Sequence, residues 1–323
     1  MKVFLTGGAG YIGSVATAML LDDGYEVTVF DNLECGHRAA VDPRARFVQG
    51  DLRDADVVLA AVKEAKPDAI MHFAAYALVG ESMRIPERYY RNNVIGGLNL
   101  AEAALSADVP RFIFSSTCAT YGQPDTVPIT ESTPQRPTNP YGETKLALEK
   151  ALSWYSDCHG LTTTFFRYFN ACGATETLGE DHDPESHLIP IVLQVALGQR
   201  EAINVYGDDY DTPDGTCIRD YIHIVDLARA HVLALSQTSS DVFNLGTGNG
   251  FSVKEVVEVC REVTGRDIPM VMAPRRSGDP ARLVAAADKA HAELGWSPQF
   301  TQLKDIVSSA WQWHQRHPNG YDA

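Results

Sequence analysis

The sequence has no C-x-x-C cysteine pair, no excess of positive charge, no apolar run of membrane-spanning length, and no internal repeat or low-complexity tract. Each absence closes a class of explanation. The six cysteines, Cys35, Cys118, Cys158, Cys172, Cys217 and Cys260, are scattered, so neither a zinc site nor a disulfide framework is signalled and no metal is expected. Lys and Arg number 27 against 42 acidic residues, a net charge of −15. Nucleic acid and anionic membrane surfaces require a cationic face, so neither is expected as a partner. An anionic ligand then needs local basic residues. Without ~18 consecutive apolar residues no membrane span is expected. The start, Met1-Lys2-Val3-Phe4-Leu5, meets turn glycines before a signal-peptide core forms, so a cytoplasmic location is the expectation.

What is present is a chain of 323 residues, 45% hydrophobic and 21% charged, long enough to bury a sizeable core as one large or two intimate domains. Short β-branched or apolar runs at 2–6, 25–30, 46–48, 69–73, 111–115 and 162–167 alternate with helical spacing at 12–21, 55–65, 86–104 and 141–155. Alternation of this kind predicts an α/β fold, a Rossmann-type doubly wound parallel sheet covered on both faces. After about residue 172 the pattern loosens. The acidic, glycine- and proline-containing stretch 173–185 reads as loop, and helices are expected at 188–197, 225–235 and 253–263. The expected division is a dinucleotide domain over 1–172 with a returning segment near 220–248, and a smaller, interleaved substrate domain from 173–219 and 249–323.

Gly7, Gly10 and Gly13 form G-x-x-G-x-x-G where the first strand turns into the first helix. Glycine there permits the tight turn and the close approach of a pyrophosphate, and the helix start offers free N–H groups at the positive end of its dipole. Asp31 ends the second strand, where a carboxylate bonds a ribose 2′-hydroxyl and repels a 2′-phosphate, favouring NAD over NADP. Asp51-Leu52 follows the third strand, a place suited to the adenine edge and equally to a plain turn.

Tyr141 and Lys145 stand at i and i+4 in the first turns of a helix opened by Pro140, which puts phenol and ammonium on one face. A phenol ionises near pH ~10, so a tyrosine base needs positive charge beside it. Y-x-x-x-K alone equally marks an exposed helix pair. Here Phe114-Ser115-Ser116-Thr117 lies about 25 residues earlier, at a strand's carboxyl end where doubly wound sheets bind ligands, and Thr117 is placed to bond a substrate hydroxyl.

Together, Thr6-Gly-Gly-Ala-Gly-Tyr-Ile-Gly13, Asp31-Asn-Leu33, His72-Phe-Ala-Ala75, Asn92-Asn93, Pro140-Tyr-Gly-Glu-Thr-Lys145, Arg167-Tyr-Phe-Asn170, Arg219-Asp-Tyr-Ile-His223 and Phe243-Asn-Leu-Gly-Thr-Gly248 resemble the UDP-glucose 4-epimerase family of extended short-chain dehydrogenases. The match spans essentially the whole chain. The resemblance implies that Tyr11, Ile12, Asp31, Asn32, Leu33, Glu34, Cys35, Gly36, Asp51, Leu52, Phe73, Ala74, Ala75, Tyr76, Ala77, Asn92, Lys145 and Phe169 line NAD. It implies that Asn170, His187, Leu188, Asn204, Val205, Tyr206, Arg219, Arg276 and Asp279 hold the UDP of a UDP-hexose. Two arginines suit a pyrophosphate on so acidic a chain. Three positions depart from relatives: Ala77 replaces a lysine, His187 an asparagine, and Leu283 occupies the place whose bulk decides whether an N-acetyl group fits.

The activity this implies is inversion at C4 of the sugar: Tyr141 takes the 4-hydroxyl proton, hydride passes to NAD, and the 4-keto sugar turns over before receiving it back. A 4,6-dehydratase needs a carboxylate beside Thr117, where this chain has Cys118-Ala119. Other UDP-sugar 4-epimerases, acting on N-acetylhexosamines or pentoses, remain open at this stage, as does a non-catalytic NAD sensor that requires neither Tyr141 nor Lys145. Apolar faces on the helices from Pro86 and Tyr141 suit either the sheet or a second subunit, and the resemblance implies a homodimer through a helix bundle.

Overall fold

The computed structural model describes residues 1–276 and 278–321. The first half runs β1 (Lys2–Thr6), α1 (Tyr11–Asp22), β2 (Glu26–Asp31), β3 (Arg46–Gln49), α2 (Ala55–Ala65), β4 (Ala69–His72), α3 (Val79–Ser82), α4 (Pro86–Tyr89), α5 (Gly96–Ser106), β5 (Arg111–Thr117), α6 (Pro140–His159), β6 (Thr162–Tyr168) and β7 (Asn170–Cys172). The second half continues with α7 (Leu188–Ala196), β8 (Ile203–Tyr206), β9 (Ile218–His223), α8 (Ile224–Leu233), β10 (Asp241–Leu245), β11 (Gly250–Ser252), α9 (Val253–Thr264), β12 (Met270–Ala273), β13 (Arg282–Leu283), α10 (Asp288–Leu294) and α11 (Leu303–Arg316).

Seven strands form one parallel sheet in the order β3-β2-β1-β4-β5-β6-β10. The order reverses between β1 and β4, and such a switch point opens a crevice at the carboxyl ends of the strands. Alternation of side chains explains why the strands read as continuous apolar runs. Val3, Leu5, Val29, Met71, Ile113, Phe166 and Phe243 point to the side covered by α1 and α8. Phe4, Phe30, Ile70, Phe112, Phe114 and Phe165 point to the side covered by α2, α5 and α6.

Within the segment 220–248, α8 packs on α1 and β10 joins the large sheet, while β9 pairs with β7, β11 and β13 outside it. A third core gathers α7, α9 and α11 around Val192, Leu193, Val205, Val256, Ile306 and Trp311. The single helix expected over 86–104 is divided: α4 passes through a π-helical stretch, Tyr90–Ile95, into α5. No helix among the described residues is long and apolar enough to cross a membrane.

Candidate active site

The glycine turn sits at the switch point. Gly7 has φ +76°, and a Cβ there would lie 2.5 Å from the Ala74 amide nitrogen; at Gly13 it would lie 2.1 Å from the Gly7 carbonyl oxygen. Only glycine fits at either place, which leaves a cradle of bare backbone. The N-cap of α1, Gly10, has no side chain to cap the helix, and the first turn holds no acidic residue. Its N–H groups and positive dipole end are therefore free for an anion. Tyr11 leaves this rim by donating its hydroxyl to the Gly173 carbonyl at 2.5 Å, while Gly36 packs so closely on Ala9 that a Cβ would stand 2.8 Å from it.

Asp31, 8% exposed, accepts from the Ala9 and Leu33 amides at 3.0 and 2.9 Å. Burial pushes its carboxyl up, and these amides pull it back. Leu33 adopts φ +61°, a strained conformation for leucine that the Asp31 bond helps to hold. Asn32 bonds Glu34 and Asp51, and Arg53 bridges those same two carboxylates. Arg88 pairs with Glu34 and lies 4.1 Å over the Tyr76 ring. Cys35 and Ala77 are exposed at this edge, and the Leu52 side chain is buried beneath it.

Phe73, Ala74 and Ala75 continue from β4 as half-buried loop. Asn93, buried on the π-helical stretch, ties this loop to α6: it exchanges hydrogen bonds with the Tyr76 backbone at 2.9 and 3.0 Å and reaches Thr144 Oγ1 at 3.1 Å. π-turns recur at functional sites because they re-aim side chains within a helix. Asn92, beside it, is half-buried and donates to Asn93 Oδ1.

Asn139 caps α6 by accepting from Gly142 N at 2.8 Å, with Pro140 in the first helical position. That start places Tyr141 and Lys145 under the carboxyl end of β5. Tyr141 is 9% exposed and clusters with Tyr76 and Tyr89. Burial pushes its phenol up to about 12, and a hydrogen bond with Thr117 works against that rise. Lys145 Nζ donates to the Ser115 carbonyl at 2.8 Å and lies 4.9 Å from the Phe114 ring centre. Burial pulls the ammonium down to about 7, opposed by Glu149. Tyr141 and Lys145 are both buried one turn apart on α6, and burial weakens the positive charge of the ammonium.

Glu149, four residues after Lys145, went unnoticed in the sequence although the i+4 spacing was there to read. With its side chain buried, it accepts from Arg167 Nη2 at 2.6 Å, from Gln135 and from Ser116. Asp220 was missed as well. Its buried carboxylate accepts from Thr247, Gly248 and Ala285 and so fastens β9 to the loops after β10 and β13.

Of the residues expected at UDP, Asn170 and Arg219 lie on the paired strands β7 and β9, Asn204 to Tyr206 on β8 of the separate two-stranded sheet, and His187 and Leu188 at the start of α7. Asn170 donates to the Asp220 carbonyl at 3.1 Å, and Phe169 packs with Tyr121, Ile129, Ala285 and Leu283. Arg219, 13% exposed, pairs with Asp279, and Leu283 lies in register with it on β13. Arg276 is exposed, its guanidinium 3.9 Å over the Tyr206 ring. Leu188 opens α7, and the His187 ring before it is turned onto Glu180 and Glu185. Asn204 is exposed, but the Val205 side chain, 1% exposed, points into the core as strand alternation demands. Val205 therefore has only its backbone to offer a ligand.

A seven-stranded parallel sheet with a bare glycine cradle at its switch point, a buried carboxylate at the end of β2, and a tyrosine and a lysine buried one turn apart on α6 define an enzyme of the short-chain dehydrogenase/reductase class. The NAD dependent epimerase/dehydratase family matches residues 3–246. The UDP-glucose 4-epimerase of Halalkalibacterium halodurans is 54% identical over 327 residues, covering 99% of this chain and 98% of that one. A crystal structure of a UDP-glucose 4-epimerase superposes with TM-score 0.97 at 55% identity, with both chains fully covered. That of the Bifidobacterium longum UDP-glucose 4-epimerase in complex with NAD+ and UDP gives 0.95 at 40% identity, covering 99% and 100%. The chain belongs to the NAD dependent epimerase/dehydratase family.

Proposed function

We infer that the chain inverts C4 of the sugar in UDP-glucose, interconverting it with UDP-galactose, the reaction of a UDP-glucose 4-epimerase with NAD as cofactor. The observation that carries this reading is the buried Tyr141, one helical turn from Lys145 on α6, whose ammonium is held to β5, the strand that ends in Thr117. When bound, NAD would supply the two-electron redox chemistry that the inversion at C4 requires. The cradle at Gly7, Gly10 and Gly13, the Asp31 carboxylate and the rim formed by Tyr11, Asn32, Asp51, Tyr76 and Asn92 suit its pyrophosphate, ribose and adenine.

Tyr141 Oη takes the 4-hydroxyl proton as the ketone forms and gives it back after the sugar has turned its other face. Thr117 steadies that hydroxyl, and the Lys145 ammonium favours the phenolate. Arg219, Arg276, Asn170 and the backbone of β8 hold UDP, so the sugar alone turns. In this division of labour, residues 1–172 with α8 and β10 hold NAD, and the remainder holds the nucleotide sugar. We also propose a cytoplasmic homodimer, in which exposed Tyr90, Ile95 and Trp154 on the helical faces around α5 and α6 meet a second copy.

The test is conversion of UDP-galactose by purified protein, wild type against Tyr141→Phe. The variant keeps the ring and loses the proton carrier, so turnover falls by about 10²- to 10⁴-fold. Near-wild-type turnover of the variant, or none in the wild type, overturns the reading.

A further inference from the structure

Between β7 and α7 the chain runs from Gly173 to His187 without helix or strand, yet it gathers two glutamates and two histidines around one point. Glu180, His182, Glu185 and His187 each present one ligand-type atom, and the four atoms lie within 4.8 Å of one another. His187 Nδ1 stands 2.8 Å from Glu180 Oε1 and 3.1 Å from Glu185 Oε1. His182 Nδ1 stands 3.3 Å from Glu180 Oε1 and 3.8 Å from Glu185 Oε2.

Nitrogen and oxygen ligands lie about 2.0–2.1 Å from a tetrahedral zinc ion, which makes the ligand-to-ligand edge about 3.3 Å. The separations here bracket that edge. Both carboxylates are buried, their side chains 4% and 3% exposed, and their only ionic partners among the described residues are the two histidines. The Ser186 and His187 amides reach only Glu185, at 2.7 and 2.8 Å, so two carboxylates buried this close remain costly, and a divalent ion cancels both charges. The second observation is His182 Nδ1, a buried ring nitrogen without a hydrogen bond among the described residues, although Glu180 is 3.3 Å away. A ring nitrogen aimed at a carboxylate without bonding it has the attitude of a metal ligand.

We propose that Glu180, His182, Glu185 and His187 form a closed, four-coordinate site for a divalent transition-metal ion of the zinc type. Two imidazoles with two carboxylates suit Zn²⁺; Ca²⁺ and Mg²⁺ prefer six or more oxygens. Four protein ligands leave no open position, so the ion is structural. It closes the 180–187 segment over the cofactor rim, where the Tyr11 ring meets His182 edge-on at 6.3 Å and His37 Nε2 contacts Asp181 at 3.3 Å. The sequence E-x-H-x-x-E-x-H carries this signal, which an inspection for cysteine pairs passes over.

The test uses the full-length protein with its NAD, treated with a chelator, dialysed and titrated calorimetrically with Zn²⁺, Mg²⁺ or Ca²⁺. The expected result is one Zn²⁺ per chain, bound at least 100-fold more tightly than Mg²⁺ or Ca²⁺. With Zn²⁺ at 100 times its Kd, Tm rises by about 4 °C. His182→Gln and Glu185→Gln each weaken Zn²⁺ binding by about 100-fold or more, with circular dichroism confirming that they fold. Substoichiometric Zn²⁺ binding by the wild type, or unchanged affinity in both variants, overturns the proposal. Should neither variant fold, Co²⁺ bound to the wild type decides: intense visible absorption supports four-coordination, and the weak bands of a six-coordinate ion overturn it.

Discussion

The Lys145 ammonium donates to the Ser115 carbonyl at 2.8 Å, joining the helix that carries Tyr141 to the strand that carries Thr117. The bond positions the site, and burial makes the charge costly, pulling the ammonium from its usual 10.5 down to about 7. Lys145→Met keeps the length and removes the charge. Turnover falls by about 10²- to 10⁴-fold, whereas stability does not fall, because an apolar isostere replaces a buried ion. The unfolded chain binds this proton up to about pH 10.5 and the folded chain only up to about pH 7, so Lys145 costs stability below pH 7 and progressively less as pH rises. Urea midpoints therefore favour the variant most near pH 7, and the gap narrows toward pH 10. A gap that widens with pH contradicts this account.

Asp31 offers a second check, on cofactor choice. Asp31→Asn keeps an acceptor for one of the Ala9 and Leu33 amides and removes the negative charge. Affinity for NAD drops about 10-fold, the scale of one charge-assisted hydrogen bond. Affinity for NADP drops less or rises, since the Asp31 charge no longer repels its 2′-phosphate. Calorimetric Kd values on NAD-stripped protein give the ratio, and an unchanged NAD-to-NADP preference removes Asp31 from this role.

What was legible in the sequence is what is local. Gly7 to Gly13 and Tyr141 to Lys145 declare themselves because turn geometry and helix period act within a few residues. Asn93 is different: its amide reaches Thr144, 51 positions away, and nothing in Asn92-Asn93 says which asparagine turns inward. Asp220 collects its donors from 27 to 65 positions away and looks like any acidic residue. The π-helical stretch at Tyr90–Ile95 is too short for its period to be told from an α-helix. Val205 was readable, because Ile203-Asn204-Val205-Tyr206 alternates and puts Val205 on the side of Ile203, in the core.

Leu283 bears on the breadth of substrate. It packs half-buried against the cluster of Tyr121, Ile129, Phe169 and Ala285, in register with Arg219. Leu283→Cys gives up volume there, and Leu283→Tyr adds it. The kcat/KM ratio for UDP-N-acetylglucosamine over UDP-glucose then rises about 10-fold in the first variant and falls by a similar factor in the second, the scale of a few methylenes in a pocket. If the ratio is insensitive to both, the N-acetyl group lies elsewhere.

Glu149 and Arg167 form an ion pair with side chains 4% and 7% exposed, and Glu149 also sustains the charge of Lys145. Either single change strands a buried charge, so Glu149→Gln and Arg167→Met each cost about 3–5 kcal/mol, while the double variant costs less than their sum. Turnover separates the two. Glu149→Gln removes the carboxylate that favours the ammonium, so Lys145 loses its proton below its present value of about 7, and activity at neutral pH falls but recovers as pH is lowered. Arg167→Met leaves Glu149 with Lys145 as its nearest cation, so the ammonium persists to higher pH. Two variants of similar stability thus shift the alkaline-side dependence of the pH–rate profile in opposite directions. Profiles that move together mean that Glu149 acts through folding alone.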